Sequence, residues 1–291
     1  MTDGILEDVV SHAGLSRAVP ALCGRTEHLV RIDNGTHKRL RLPIPRPIRR
    51  MTGVLLILAA WWVGVVPASV FPSPQQVGGS LVDLISSGML LNAIETSLWR
   101  VIIGLAIGGM AGIGLAVLSG IFKLGEDLID APIQMFRTMP WVGLTPLLII
   151  WFGLGEAPKI ALVAIAVSFP LYLNTYGGIR NVDVNLVEAA QTLGLSRFGL
   201  VWHVILPSAL PNTLIGLRWA LGSAWLALIF GEAINATSGL GFLMNRARDF
   251  LDLNVVVICL LVYALLGLGA DIAARLLERA LLPWRPAFAG R

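Results

Sequence analysis

Long apolar tracts separated by short charged segments organise this chain. No Asp, Glu, Lys or Arg occurs in 51–82, 101–122, 138–155, 160–179 or 253–270, and a further stretch, 210–236, is interrupted only by Arg218 and Glu232. A helix needs about 20 mostly apolar residues to cross roughly 30 Å of hydrocarbon. The pattern therefore predicts an all-α integral membrane protein with six transmembrane helices, at about 51–71, 98–120, 138–155, 158–179, 211–233 and 254–274.

Composition agrees. Of 291 residues, 56% are hydrophobic and only 14% charged, against about a quarter charged in an ordinary soluble domain. About fifty mostly polar residues precede the first tract, so that tract is expected to be an uncleaved anchor rather than a signal peptide. Two cysteines, Cys23 and Cys259, do not make a disulfide framework. Cys259 lies within the last span and reads as a small buried hydrophobe.

The basic residues are distributed unevenly over the two sides of the predicted spans. Eighteen of the 22 fall on the side of both termini, and four, Arg100, Lys159, Arg246 and Arg248, fall on the other. By the positive-inside rule both termini are expected to be cytoplasmic. The net charge of +4 is thus a topology signal, and no basic stripe interleaved with aromatics suggests nucleic-acid binding. The run 38–50 (KRLRLPIPRPIRR) either fixes the first helix with its N-terminus inside or lies on anionic headgroups.

Within the spans three features stand out. Gly104, Gly108 and Gly112 recur every four residues, with Gly109 and Gly114 nearby, a spacing that suits close helix packing. Pro140, Pro146 and Pro170 mark either kinks or broken helices. Arg218 and Glu232 are charges inside an apolar tract, where ionisable groups usually face a bundle interior, and both are candidate gating or pathway residues. Arg218 can alternatively snorkel to the cytoplasmic surface. Glu232 lies fourteen residues further along the same helix, about 21 Å away at 1.5 Å per residue, so the two cannot pair with each other.

The longest cytoplasmic loop, 180–211, reads as two short helices. Asp183 is placed to cap the first and Gly194 to end it in a left-handed conformation. Ser196 is placed to cap the second, before Pro207 and Pro211 punctuate the approach to the next span. A compact, partly apolar element of this kind makes a plausible docking knob.

The series Glu188-Ala189-Ala190, three residues, Gly194, nine residues, Val204, one residue, Leu206-Pro207 is similar to the signature loop of ABC importer permeases, in which the Val204 position is usually Ile. Further stretches resemble the branch serving nitrate, taurine, aliphatic sulfonates and bicarbonate: Thr96-Ser97-Leu98-Trp99-Arg100-Val101, 146–155 (PLLIIWFGLG), Asn174 through Arg180, Ser238-Gly239-Leu240-Gly241, and Leu281-Leu282-Pro283-Trp284-Arg285. The likeness covers about 54–285. It implies a type I importer permease in the bacterial cytoplasmic (inner) membrane, multi-pass and paired as a homodimer with a second copy of itself. Two cytoplasmic ATPase subunits and an extracytoplasmic solute-binding protein would complete the assembly.

On that resemblance, Glu188, Ala189, Ala190, Gly194, Leu195, Ser196, Arg197, Leu206 and Pro207 contact the ATPase partner. The implied solute is an aliphatic sulfonate or taurine, next nitrate or bicarbonate, and third a vitamin-precursor amine. Lys38, Lys123 and Lys159 are followed by Arg, Leu and Ile, so no G-x-x-x-x-G-K-[ST] phosphate loop exists. ATP is therefore expected to be bound by the partner, with no cofactor, metal or catalytic residue in this chain. An ion-driven secondary transporter is the alternative, but the intramembrane carboxylates and paired internal repeats expected of one are not evident. The expected domains are a basic arm at 1–50, a permease domain at 51–285 and a short tail at 286–291. The arm departs from the family, and is either a wrongly assigned start or a lipid-facing or regulatory segment.

Overall fold

Helix α1 (Pro74–Ser86) opens the described part of the permease unit. A capping box joins Ser73 and Gln76, and a proline occupies the first turn, where its missing N–H costs nothing. This is a computed structural model that describes residues 71–283, together with 53, 56 and 59–62. The arm at 1–50 and the tail at 286–291 lie outside the described residues, and the expected anchor at 51–71 lies largely outside them.

Every regular element among the described residues is helical. After α1 come α2 (Met89–Ile121) and α3 (Lys123–Phe136). These are followed by α4 (Thr145–Phe152), α5 (Ala157–Arg180), α6 (Val184–Thr192), α7 (Leu206–Asn235), α8 (Leu240–Asp249) and α9 (Leu253–Leu281). Four helical segments are long and apolar enough to cross a membrane: α2, α5, 197–234 and α9.

The expected span at 138–155 is not one continuous helix, which is the broken-helix outcome that its prolines left open. Helix α4 has eight residues, about 12 Å at 1.5 Å per residue, too short to cross alone. A 3₁₀ turn at Trp141–Leu144 precedes it, and α3 meets this segment at 92° in a broken pair. Pro140 sits at the break. The prolines thus divide: Pro140 marks a break, Pro146 starts α4, and Pro170 lies inside an uninterrupted α5.

Helix α5 is the centre of the bundle, with Leu162, Val163, Val167, Leu171 and Tyr172 almost fully buried. It packs most extensively against α2 and α7. Glycine on α2 makes the first of these contacts possible. A Cβ at Gly108 would lie 2.2 Å from the Ala164 carbonyl oxygen, and one at Gly112 2.5 Å from that of Ser168. Backbone therefore lies against backbone, as expected for a small-residue stripe. Gly114 meets nothing and is not part of this seam. The outward faces carry exposed Ile102, Met110, Leu118, Leu261 and Leu265, as helices surrounded by lipid require.

Candidate functional site

The loop at 180–211 follows its local capping signals. The Asp183 carboxylate accepts from the Asn185 N–H at 2.9 Å, which satisfies one of the orphan donors of α6. At the other end Gly194 has φ +83°, its N–H bonds to the Gln191 carbonyl at 2.9 Å, and the Leu195 N–H bonds to the Ala190 carbonyl at 3.1 Å. These are the paired bonds of a Schellman closure, which needs a left-handed residue at this position. Ser196 then accepts from the Gly199 N–H at 3.1 Å and starts the next turn.

The second helix does not stop where the prolines lead one to expect. Arg197–Leu200 runs through a single π turn, Val201–Ile205, directly into α7, with Pro207 in the first turn and Pro211 inside. The wider π turn moves carbonyls away from a following proline ring and tolerates its missing donor. The loop is therefore a short capped helix joined to the cytoplasmic end of a long one.

Its outer surface is apolar. Leu193 is 82% exposed and Phe198 74%, and Phe198 packs against the exposed Trp202 with ring centroids 6.0 Å apart. Ala190 and Leu200 face inward. Glu188, Ala189 and Arg197 lie on the exposed side, Leu195 is half-buried beside them, and Leu206 and Pro207 are half-buried in the first turn of α7. Among the described residues the Glu188 carboxylate makes no hydrogen bond. The Glu188 carbonyl accepts from the Thr192 hydroxyl at 2.8 Å.

At the opposite end of α7 the structure assembles a charged network that sequence reading had left in separate pieces. Arg100 of α2 is 1% exposed. Its guanidinium donates to Glu232 Oε1 at 2.5 Å, to Glu156 Oε1 at 2.8 Å, and to the Ser238 carbonyl at 2.8 Å and hydroxyl at 3.0 Å. Its Nε also donates to Glu156. Ser97 donates to Glu232 at 2.8 Å and accepts from the Leu240 N–H at 2.8 Å, while the Gly241 N–H donates to Glu232 Oε2 at 2.6 Å. Lys159, also buried, donates to Glu156 at 3.0 Å.

Two cations and two carboxylates thus tie together α2, the start of α5, the end of α7 and the start of α8. A buried charge is tolerable only when paired and hydrogen-bonded, and the buried Arg100, Lys159 and Glu232 are each both, while Glu156 is half exposed. Gly239 lets the strands of this network meet: at φ +105°, a Cβ there would lie 2.3 Å from Glu232 Oε1. Arg218, the other flagged charge, is remote from this cluster. It pairs with Asp271 of α9 at 2.8 Å, and Asp271 also pairs with Arg275.

Sequence reading singled out Glu232 but missed its partners. Arg100 enters the sequence reading as an orientation residue and as part of the Thr96–Val101 stretch, with no partner assigned. The available signal was that Arg100, Lys159 and Glu232 carry opposite charges at the same predicted depth.

The network has a pH signature. The Arg100 guanidinium, hydrogen-bonded to Glu156, and secondly Lys159, lower that carboxyl from its usual 4.5 to about 2. Because the folded value is depressed, the associated stability is complete above pH 4.5 and is lost as pH falls towards about 2. Thermal unfolding of the solubilised protein across that window is expected to show a shallower decline for Glu156→Gln than for wild type. Parallel profiles would contradict the assignment.

These features define a polytopic helical membrane protein with a capped, apolar-surfaced loop at one end and an ion-paired seam at the other. Residues 104–283 match the family model described as the inner membrane component of binding-protein-dependent transport systems. The chain belongs to that family, a permease component of ABC transporters, and is a multi-pass membrane protein. It is 48% identical over 236 residues to the putative aliphatic sulfonates transport permease SsuC of Escherichia coli, covering 80% of this chain and 90% of that one. It is 33% identical over 268 residues to the taurine transport permease TauC of the same organism, covering 88% and 98%. The fold is also that of a crystal structure of an amino acid ABC transporter with histidines, with TM-score 0.58 at 18% identity, covering 69% of this chain and 97% of that one.

Proposed function

We propose that this chain, paired with a second copy of itself, forms the translocation path of an importer for small organosulfonates, driven by two ATPase subunits seated on the 184–207 loops. The observation that carries the coupling role is the apolar knob of Leu193, Phe198 and Trp202 on a rigid, double-capped turn at the cytoplasmic end of α7. Three large apolar side chains held outward suit a groove on a soluble partner. The basic excess on the loop's side of the membrane supports placing that partner in the cytoplasm. The names of the sulfonate and taurine permeases that the chain resembles support the solute class.

In this reading ATP binding draws the two loops together and α7 carries the movement inward. Shifting a two-state equilibrium from 1:99 to 99:1 takes about 5.5 kcal/mol of differential binding. Glu188, Ala189, Ala190, Gly194, Leu195, Ser196 and Arg197 would form the contact, with Leu206 and Pro207 at the joint with α7. An extracytoplasmic binding protein would deliver the solute to the other face.

The test is uptake of radiolabelled taurine and ethanesulfonate into vesicles holding the permease, its ATPase and its binding protein. ATP-dependent uptake that survives collapse of ion gradients is expected. Uptake that persists without the ATPase would overturn the reading in favour of an ion-driven carrier, and nitrate or bicarbonate uptake in place of the sulfonates would overturn the solute class.

A further inference from the structure

Between α2 and α8, at the end of α7 remote from the coupling loop, lies a cavity of about 260 Å³ that the ion-paired seam borders but does not fill. Its lining includes the polar residues Asn92, Thr96, Thr237, Ser238 and Arg246. Met89 and Phe242 contribute apolar surface. No Asp or Glu lines it. We infer that this cavity receives the anionic solute at the extracytoplasmic mouth, with the sulfonate on Arg246, Asn92 and Ser238 and the alkyl chain on Met89 and Phe242. The inference rests on the sulfonate reading above and names where such a solute would first be held.

The chemistry of the donors supports this. Arg246 has no carboxylate within 4.0 Å among the described residues, whereas Arg100 is saturated by Glu156, Glu232 and Ser238. Ser238 Oγ accepts from Arg100 at 3.0 Å, so its own hydrogen is left to donate. Thr96, which also lines the cavity, has already given its hydroxyl hydrogen to the Asn92 carbonyl at 2.8 Å, and it adds no donor. The set is thus one guanidinium plus neutral donors, which suits a single-charged oxyanion.

A neighbouring cavity of about 360 Å³ shares Arg246 but is lined by Asp83 and Asp252 as well. Two carboxylates disfavour an anion there, and this places the sulfonate on the α2 side of Arg246. An apolar wall with a few convergent polar groups is also the usual make-up of a small-molecule site.

Saturation-transfer NMR of ethanesulfonate on the purified permease in nanodiscs tests this without depending on transport. Saturable binding is expected for wild type and is expected to be much weaker for the uncharged ethyl methyl sulfone. Arg246→Gln should weaken ethanesulfonate by at least about tenfold, the scale of one lost charged hydrogen bond. Arg246→Lys should retain part of the affinity, and Phe242→Ala should weaken butanesulfonate more than ethanesulfonate. Arg248→Gln removes a neighbouring charge that pairs with Asp249 outside the cavity, and it should bind like wild type.

Unchanged affinity in Arg246→Gln, an equal loss in Arg248→Gln, or no saturable binding to wild type would overturn the site. Uptake separates the two readings. Sulfonate uptake without Arg246-dependent binding sinks the site alone, and Arg246-dependent binding without ATP-driven uptake sinks the transport reading alone.

Discussion

Replacing Arg100 with methionine is expected to destabilise the folded permease by about 3–5 kcal/mol, the usual cost of stranding one member of a buried ion pair. Methionine fills much of the same volume, so the loss is electrostatic rather than a cavity effect. Glu232, whose side chain is fully buried, would be left among Ser97, Leu240 and Gly241 with no cation beside it. Glu156, half exposed, can turn to water and adds less.

The check is the thermal stability of the detergent-purified protein, read beside the double variant Arg100→Met/Glu232→Gln. Glutamine removes the charge yet still accepts from Ser97 and the Gly241 N–H, so the double variant should recover more than half of the loss. A single variant as stable as wild type, or a double variant no better than the single, would show that the seam is not electrostatically coupled.

Replacing Gly194 with valine is expected to abolish ATP-dependent uptake while leaving membrane insertion intact. Space is not the reason, because a Cβ at Gly194 meets nothing within 4 Å. Conformation is the reason. At φ +83° an L-residue pays about 1–2 kcal/mol, and a β-branched one pays more. The cheaper course is for the chain to leave the left-handed region. That breaks the bonds from Gly194 and Leu195 to the last turn of α6 and releases Leu193 and Phe198 from their fixed spacing.

Asparagine visits this region readily, so Gly194→Asn should keep most of the uptake. Equal uptake by the valine variant and wild type would remove the loop from the coupling mechanism. Equal failure of asparagine and valine would point to a need for glycine other than its φ.

The loop was legible because its determinants are local. Asp183, Gly194 and Ser196 act within four residues of their partners, so capping rules place them without knowledge of the fold. The same local rules failed at Pro207 and Pro211. Prolines inside a helix normally signal a break, but here one continuous helix runs through both, Pro207 just after the π turn and Pro211 within α7. Tract length alone misled at 138–155, where an uncharged stretch long enough to span is broken at Pro140, an outcome its prolines left open, and folds into a short α4 turned sharply against α3.

The sequence by itself determined the solvent of this protein, through its long apolar tracts, and the caps of the 183–199 loop. Bilayer thickness sets tract length, and caps act over one helical turn. Only the tertiary structure decided which charges at membrane depth are partners. Arg100 and Glu232 are separated by 132 residues, and nothing local distinguishes a buried, paired arginine from one that marks a helix end. Low dielectric makes the pairing compulsory once α2, α5 and α7 pack through their small residues. The partner is then chosen by helix register, a property of the bundle and not of any single segment.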